Sequence, residues 1–596
     1  MANSMKSGGG SNNGSVYNGS VGGIRGHCGR VDEKHQRYNP FKMRDKSNTT
    51  TATGALVHLI KSSLGSGILA MPNAFKNGGL IFGLVGTAAI GVLCSHCIYL
   101  LVLCSQTLCR RTRRPALGFA DTAAVAFNTG PHRLRAWAPF ARGFVNVALF
   151  CTYYFGNCVY VILIAASFKQ VAENHTPPEW HFSIRVWILS LAIPLIPLGI
   201  IRTLKVLVPL SALGTTFILV GLGCTMTWVV TGVSPFADKA TIAASVPLPD
   251  IGSRPWIAPV ARMPLFFATV VFAMEGIGTV LPIENSMRHP EYFLRARPCG
   301  VLNGAMTLVV SLYSIAGFIG YLRFGDTTEG SITLNLPNDL LCEIIKMMVT
   351  LSIVFSYGLQ FCVPSEIVWS HLEPWLHKRR LNSKYSTSKN DIKGIPTISK
   401  SCITDSIVTM NTAISTKSIV TIDENKLPEE KMELLEEPVD GMYYIMRAIM
   451  IVGTLLISAA VPNLSPVIAL FGAVLFSTLG LFCPAVIHLV AFWEHNDEEE
   501  EDFKEPDFDD DLEYEVDNYA VYDAADLEYG NKVRWKQQEK KNCDLSVSRT
   551  KGMSKWIIIK DISIVIIAAM ALVFGTYASL IDIFAFYGSD IIVNEK

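Results

Sequence analysis

Long apolar runs separated by short polar stretches set the pattern of this chain. A helix needs about 20 apolar residues to cross roughly 30 Å of hydrocarbon. Runs of that kind lie at 53–74, 79–108, 143–168, 184–201, 206–231, 262–282, 300–323, 341–369, 442–461, 465–492 and 556–586. They predict an all-α polytopic membrane protein with eleven transmembrane helices, numbered here as segments one to eleven in chain order. Segments one and two are divided only by "FKNGG", and segments nine and ten only by "VPNLS", where Gly, Asn and Pro supply the break.

Two runs are interrupted in their middles, where hydrocarbon offers loose backbone no water to bond to. Segment one contains "LIKSSLGSGILAMP", with Gly65, Ser66 and Gly67 at its centre, and segment six reads "MPLFFATVVFAMEGIGTVLPIEN", with Glu275, Gly276, Ile277 and Gly278. Interrupted segments at corresponding positions of two halves point to the binding site of a secondary transporter. Segments one to five and six to ten then form two inverted five-helix repeats, with segment eleven appended.

At Ser66, Gly67 and Ile68 a second half-helix begins. Its first amide hydrogens lack helical acceptors and stand at the positive end of the helix dipole, which suits a carboxylate. At Glu275 to Gly278 a first half-helix ends, and its carbonyl oxygens suit an ammonium group. A zwitterionic amino acid satisfies both, and glycine lets it approach the backbone closely. The competing use of such glycines is tight helix packing. Two matched breaks, one with an intramembrane Glu, favour the binding site formed by Gly65, Ser66, Gly67, Ile68, Glu275, Gly276, Ile277 and Gly278.

Composition agrees with a membrane protein and not with an ordinary soluble enzyme, since half of the 596 residues are hydrophobic, 17% are charged and the mean hydropathy is +0.33. No phosphate loop, nucleophile elbow or metal-ligand spacing falls in an extramembrane part, so neither enzyme activity, metal, cofactor nor nucleic acid is expected. Cys94-Ser-His-Cys97, His96 and His488 lie in apolar runs and read as packing residues.

Charge gives orientation. With the N-terminus in the cytoplasm, the inside loops and membrane-proximal stretches hold 16 Lys or Arg, among them "RRTRR" and "HKRR", against six on the other side: Lys76, Lys169, Arg185, Lys239, Arg254 and Arg262. The C-terminal tail, 587–596, is then exterior or lumenal. The sequon Asn174-His175-Thr176 falls on that same side, where a glycan is expected.

Residues 1–50, without a signal peptide, and 371–441 read as disordered cytoplasmic segments. The latter contains Glu430-Lys-Met-Glu-Leu434-Leu435, the pattern of an acidic dileucine sorting signal read by adaptors, or equally an ordinary amphipathic stretch. Zero net charge conceals a division, because residues 494–530 hold 18 Asp or Glu and one Lys, leaving an equal excess of positive charge elsewhere. That acidic loop, 493–555, is a solvated block or a docking segment for a basic cytoplasmic partner.

"HLIKSSLGSGILAMP", "EGIGTVLPIEN" and "GLQFCVPSEI" resemble the first, sixth and eighth spans of proton-coupled amino acid transporters in the amino acid/auxin permease family, nearest an insect branch. The resemblance covers about 50–372, 440–492 and segment eleven. It implies a leucine-transporter-type inverted-repeat core that carries small neutral amino acids with protons, in the plasma membrane or a lysosomal or endosomal membrane. His58 corresponds to a first-span His that the family uses in proton coupling, and His is the side chain whose ordinary pKa lies nearest neutrality. A hydrogen-bonded packing role is its alternative. Lys61 shares its helical face. Glu275 is the second candidate for proton coupling, or a cap on the broken helix, and Glu284 reads as a gate or structural pair with Asn285 and Arg288.

A sodium-coupled relative is one rival, and it would take oxygens from the segment-one break with Ser352 or Ser356. A nutrient sensor signalling through the cytoplasmic loops is another. The exterior disulfide of vertebrate relatives is not expected, because the loops near 169–183, 232–261 and 325–340 hold no Cys and Cys342 stands alone.

Overall fold

The computed structural model of the chain describes residues 40–44, 49–201, 204–232, 248–274, 276–295, 300–391, 440–493 and 555–594. Among them nearly all regular structure is helical, and an isolated parallel bridge joins Thr50 to Met287. Among the described residues nine helices are long and apolar enough to cross a membrane, and the bent pair Ala52–Ser63 and Gly67–Gly78 makes ten. That pair is segment one, and its halves meet at 54°.

The expected fourth crossing is a shorter apolar helix, Ile184–Ile200, made of Ile184–Ser190 and Ala192–Ile200. The cause is local. Pro194 has no amide hydrogen to give the Ser190 carbonyl, and Pro197 denies one to Ile193. Segment eight departs the other way, because its helix runs unbroken from Leu340 to Asp391.

Segment six comprises Met263–Ala273 and Ile277–Asn285, and segment ten runs from Leu464 to Phe492 through π-helical turns at Gly472–Phe476 and Thr478–Phe482. Another π-helical turn, Ala571–Gly575, lies in segment eleven. Such turns gather at functional sites and helix contacts.

Lipid tails are as apolar as leucine, so close fit rather than water exclusion holds such helices together. Phe75 shows the fit: a Cβ on Gly83 would lie 2.6 Å from its ring and one on Gly317 2.4 Å from it. The ring is thereby clamped between segments two and seven. Enclosure varies along the chain, with 71% of the central window of segment six buried against 17% for segment eleven. Segment eleven is therefore peripheral and segment six central.

Candidate functional site

The two interruptions are built alike. The first half of segment one ends at Leu64 with φ −80° and ψ 36°, and the first half of segment six ends at Met274 with φ −79° and ψ 37°. Each second half starts three residues later, after Ser66 (φ −61°, ψ −17°) and Gly276 (φ −61°, ψ −8°). Neither Ser66 nor Gly276 supplies a side-chain cap, so the amide ends at Gly67 and Ile277 keep their donors for something else.

The breaks also touch. A Cβ on Gly67 would lie 2.6 Å from Ala273 Cα, one on Gly276 2.6 Å from Ser63 Oγ, and one on Gly278 2.3 Å from the Tyr153 hydroxyl oxygen. At Gly67 the neighbour is backbone that cannot give way, so only glycine fits there. Fully buried Tyr313 of segment seven places its hydroxyl between them, donating to Ser63 O or to Ala273 O, the latter at 3.0 Å. Both acceptors are the last helical carbonyls before a break.

Removing that hydroxyl in Tyr313→Phe leaves two buried carbonyls short of a donor, at a cost of about 1–3 kcal/mol. The expected result is a lower thermal midpoint in detergent and roughly tenfold slower uptake into proteoliposomes, from the same free-energy scale. Uptake and melting equal to the unsubstituted chain would remove Tyr313 from the site. No sequence signal singled it out, since a Tyr in an apolar run is ordinary.

Beside the first break lies a cavity of about 130 Å³. Its size approaches the roughly 150 Å³ of an engineered cavity that admits benzene, so a small molecule fits. Lys61, Gly65 and Ser66 form one wall, with Tyr160 of segment three, Thr215 of segment five, and Ser352 and Ser356 of segment eight around them. Ser66 Oγ is buried without a hydrogen bond. Half-buried Lys61 has no hydrogen bond or ion pair among the described residues.

The expected site residues therefore divide. Gly65 and Ser66 face this cavity, whereas Ile277 lines a void of about 10 Å³ with Met274 and residues of segments two and ten. Gly67, Ile68 and Gly276 are buried in the contact between the breaks or beside it, and Gly278 is half-buried against Tyr153 of segment three. Glu275 lies outside the described residues, as do Glu430, Leu434 and Leu435. His58 is exposed and does not line the cavity that Lys61 enters, although the two share a helical face. Asn174 is exposed in the last turn of its helix and donates from Nδ2 to Glu343 Oε1 at 2.9 Å.

The far end of segment six is fastened by a residue that the sequence did not suggest. Glu284, fully buried, pairs with Arg44 at 3.3 Å, not with Arg288, and accepts a bond from Gln106 Nε2 at 2.8 Å. Arg44 also donates to Pro115 O and Glu284 O at 2.8 and 3.1 Å. Thr50 completes the closure by bonding Ser286 O and the Arg288 amide. Residues 240 positions apart thus seal the helix ends of segments one, two and six together.

Similarity to known proteins agrees with this architecture. Residues 48–506 match the family described as transmembrane amino acid transporter protein. Over 459 residues the chain is 33% identical to the proton-coupled amino acid transporter-like protein pathetic of Drosophila melanogaster, covering 77% of this chain and 80% of that one. It is 28% identical over 332 residues to vacuolar amino acid transporter 4 of Saccharomyces cerevisiae, covering 55% of this chain and 42% of that one. These relatives are named as transporters rather than enzymes. The chain belongs to the transmembrane amino acid transporter family.

Proposed function

We propose that the chain is a secondary active transporter that moves small neutral amino acids together with protons by alternating access. Eleven crossing helices carry it out, counting Ile184–Ile200 as the fourth, with segments one to five and six to ten as inverted repeats. The equal dihedral angles and equal three-residue spacing of the two breaks support the repeat. The N-terminus and the loops 371–441 and 493–555 are cytoplasmic in this reading, and Asn174 carries its glycan outside or in a lumen. Its amide has two hydrogens, so a glycan on one leaves the other for Glu343.

The observation that carries the choice of ion is Lys61 in the cavity. A sodium ion would need the oxygens of Gly65, Ser66, Ser352 and Ser356, and these share their space with a side chain that is itself cationic. Like charge at such range disfavours the metal ion. A lysine that gives up and regains its proton performs the same exchange of charge without sodium. The substrate carboxylate goes to the opened backbone at Gly65 and Ser66, ahead of the second half-helix, and its small side chain to Ile218, Leu219 and Ile353. The Drosophila relative's name, which states proton coupling, and the yeast relative's, which states a vacuolar transporter, favour a membrane bounding an acidic compartment.

Accumulation of radiolabelled alanine in proteoliposomes should rise by up to about tenfold with an imposed pH gradient of one unit, the limit set by the free energy of one proton per alanine, and should be indifferent to replacing sodium by potassium. Lys61→Gln should retain exchange of internal for external alanine and lose the gradient-driven accumulation. His58→Ala, compared beside it, separates the two candidates: the variant whose proton dependence is unchanged names the residue that is not used. A sodium requirement in the unsubstituted chain would overturn the proposal.

A further inference from the structure

We propose that His488 and Asp561, with His96, form a proton-binding site in the seam between segments two, ten and eleven, separate from the break cavity. A carboxylate and an imidazole have been carried into the hydrocarbon-spanning part of the protein and joined there. His488 Nδ1 lies 2.6 Å from Asp561 Oδ2, with the pair 6% and 0% exposed at their side chains. Ionisable groups at such depth are costly and are retained for function.

Neither His96 nor Asp561 is fully paired. Among the described residues His96 Nε2 and Asp561 Oδ1 are buried without a hydrogen bond. The charges of His488, Asp561 and Lys560 all act on His96. Lys560 Nζ stands 3.6 Å from Asp561 Oδ1, but its side chain is 39% exposed. From segment two, Cys97 and Cys104 are also within electrostatic reach of Asp561, and Arg111 is bonded to Ala491 O. On the neighbouring helix Phe119–Thr129, Asp121 is paired with Arg142. One proton therefore changes the His488–Asp561 pair from a net negative charge to none, in a place where bare charge is expensive.

Segment ten connects this seam to the break in segment six. Its π-helical turns bring Phe476, Gly480 and Leu481 against Met274 and Ile277, in the same small void as Cys94, two positions before His96. In segment eleven, a Cβ on Gly575 of the π-helical turn would lie 2.7 Å from Ala473 Cβ, so two such turns are pressed together. The proton held by the pair sets how firmly segment eleven is fastened to segment ten, and segment ten lies against both halves of segment six at its break. The site does not depend on which ion drives transport.

Hydrogen exchange of the full-length chain in nanodiscs, corrected for intrinsic rates, is compared at about pH 6 and pH 7.5, either side of the ordinary histidine pKa. Protection of 483–492 and 555–570 should change together by severalfold, and equal protection at both values would overturn the site. In proteoliposomes, His488→Gln and Asp561→Asn should each lose the same step from the pH profile of alanine uptake, and the double variant should lose no more than either. Profiles that superimpose on the unsubstituted chain overturn it equally. If a single variant does not fold, His488→Leu with Asp561→Leu leaves no uncompensated buried charge and is read in the same way.

Discussion

Arg44→Ala should lower the stability of the folded transporter by about 3–5 kcal/mol, the usual cost of removing one partner from a buried ion pair. Glu284, fully buried, would keep only Gln106 as a donor for a carboxylate that has lost its cation. Glu284→Gln on its own should cost less, because Arg44 retains the Pro115 and residue-284 carbonyls as acceptors. Adding Glu284→Gln to Arg44→Ala should recover part of the loss, and that recovery is the coupling between the two side chains. Thermal melting in detergent measures all three. Strictly additive losses would mean that the two residues stabilise the protein separately. Because the pair fastens the far end of segment six to the chain ahead of segment one, its loss should also raise alanine leak from loaded proteoliposomes.

Gly67→Ala should slow transport at least about tenfold while leaving the protein inserted. The added methyl would meet Ala273 Cα at 2.6 Å and Ala273 O at 2.9 Å, which are backbone atoms that cannot rotate away. Overpacking of this kind costs about 1–3 kcal/mol. Here the strain falls on the crossing of the two breaks, so uptake should drop by at least about tenfold, the rate equivalent of 1.4 kcal/mol. Gly223→Ala is the control, with nothing within 4 Å of the added carbon. Equal uptake by the two variants would show that the crossing tolerates separation.

How much of this could be read from the chain depended on the kind of signal. The breaks were legible because Gly65, Ser66 and Gly67, and Gly276 and Gly278, are poor helix residues in otherwise apolar runs. The direction of a side chain was not. In lipid both faces of a helix are apolar, so segment one gave no sign that Lys61 faces the cavity and His58 does not. Pro194 and Pro197 were visible, yet the length of the surrounding apolar run outweighed them. Arg44 with Glu284, and His488 with Asp561, are pairings across 240 and 73 positions, and a single sequence carries no record of such distances. Read singly, His488 is a packing residue; its partner, 73 positions away, is what the fold adds.

The shared geometry of the two breaks bears on speed. Swinging a half-helix about Leu64 to Ser66, or about Met274 to Gly276, does not require a helical turn to melt, because those turns are already open. The barrier to each swing is then set by what ties the pieces together, the Tyr313 hydroxyl and the backbone bonds from Leu64 to Ile60 and from Met274 to Val270 included.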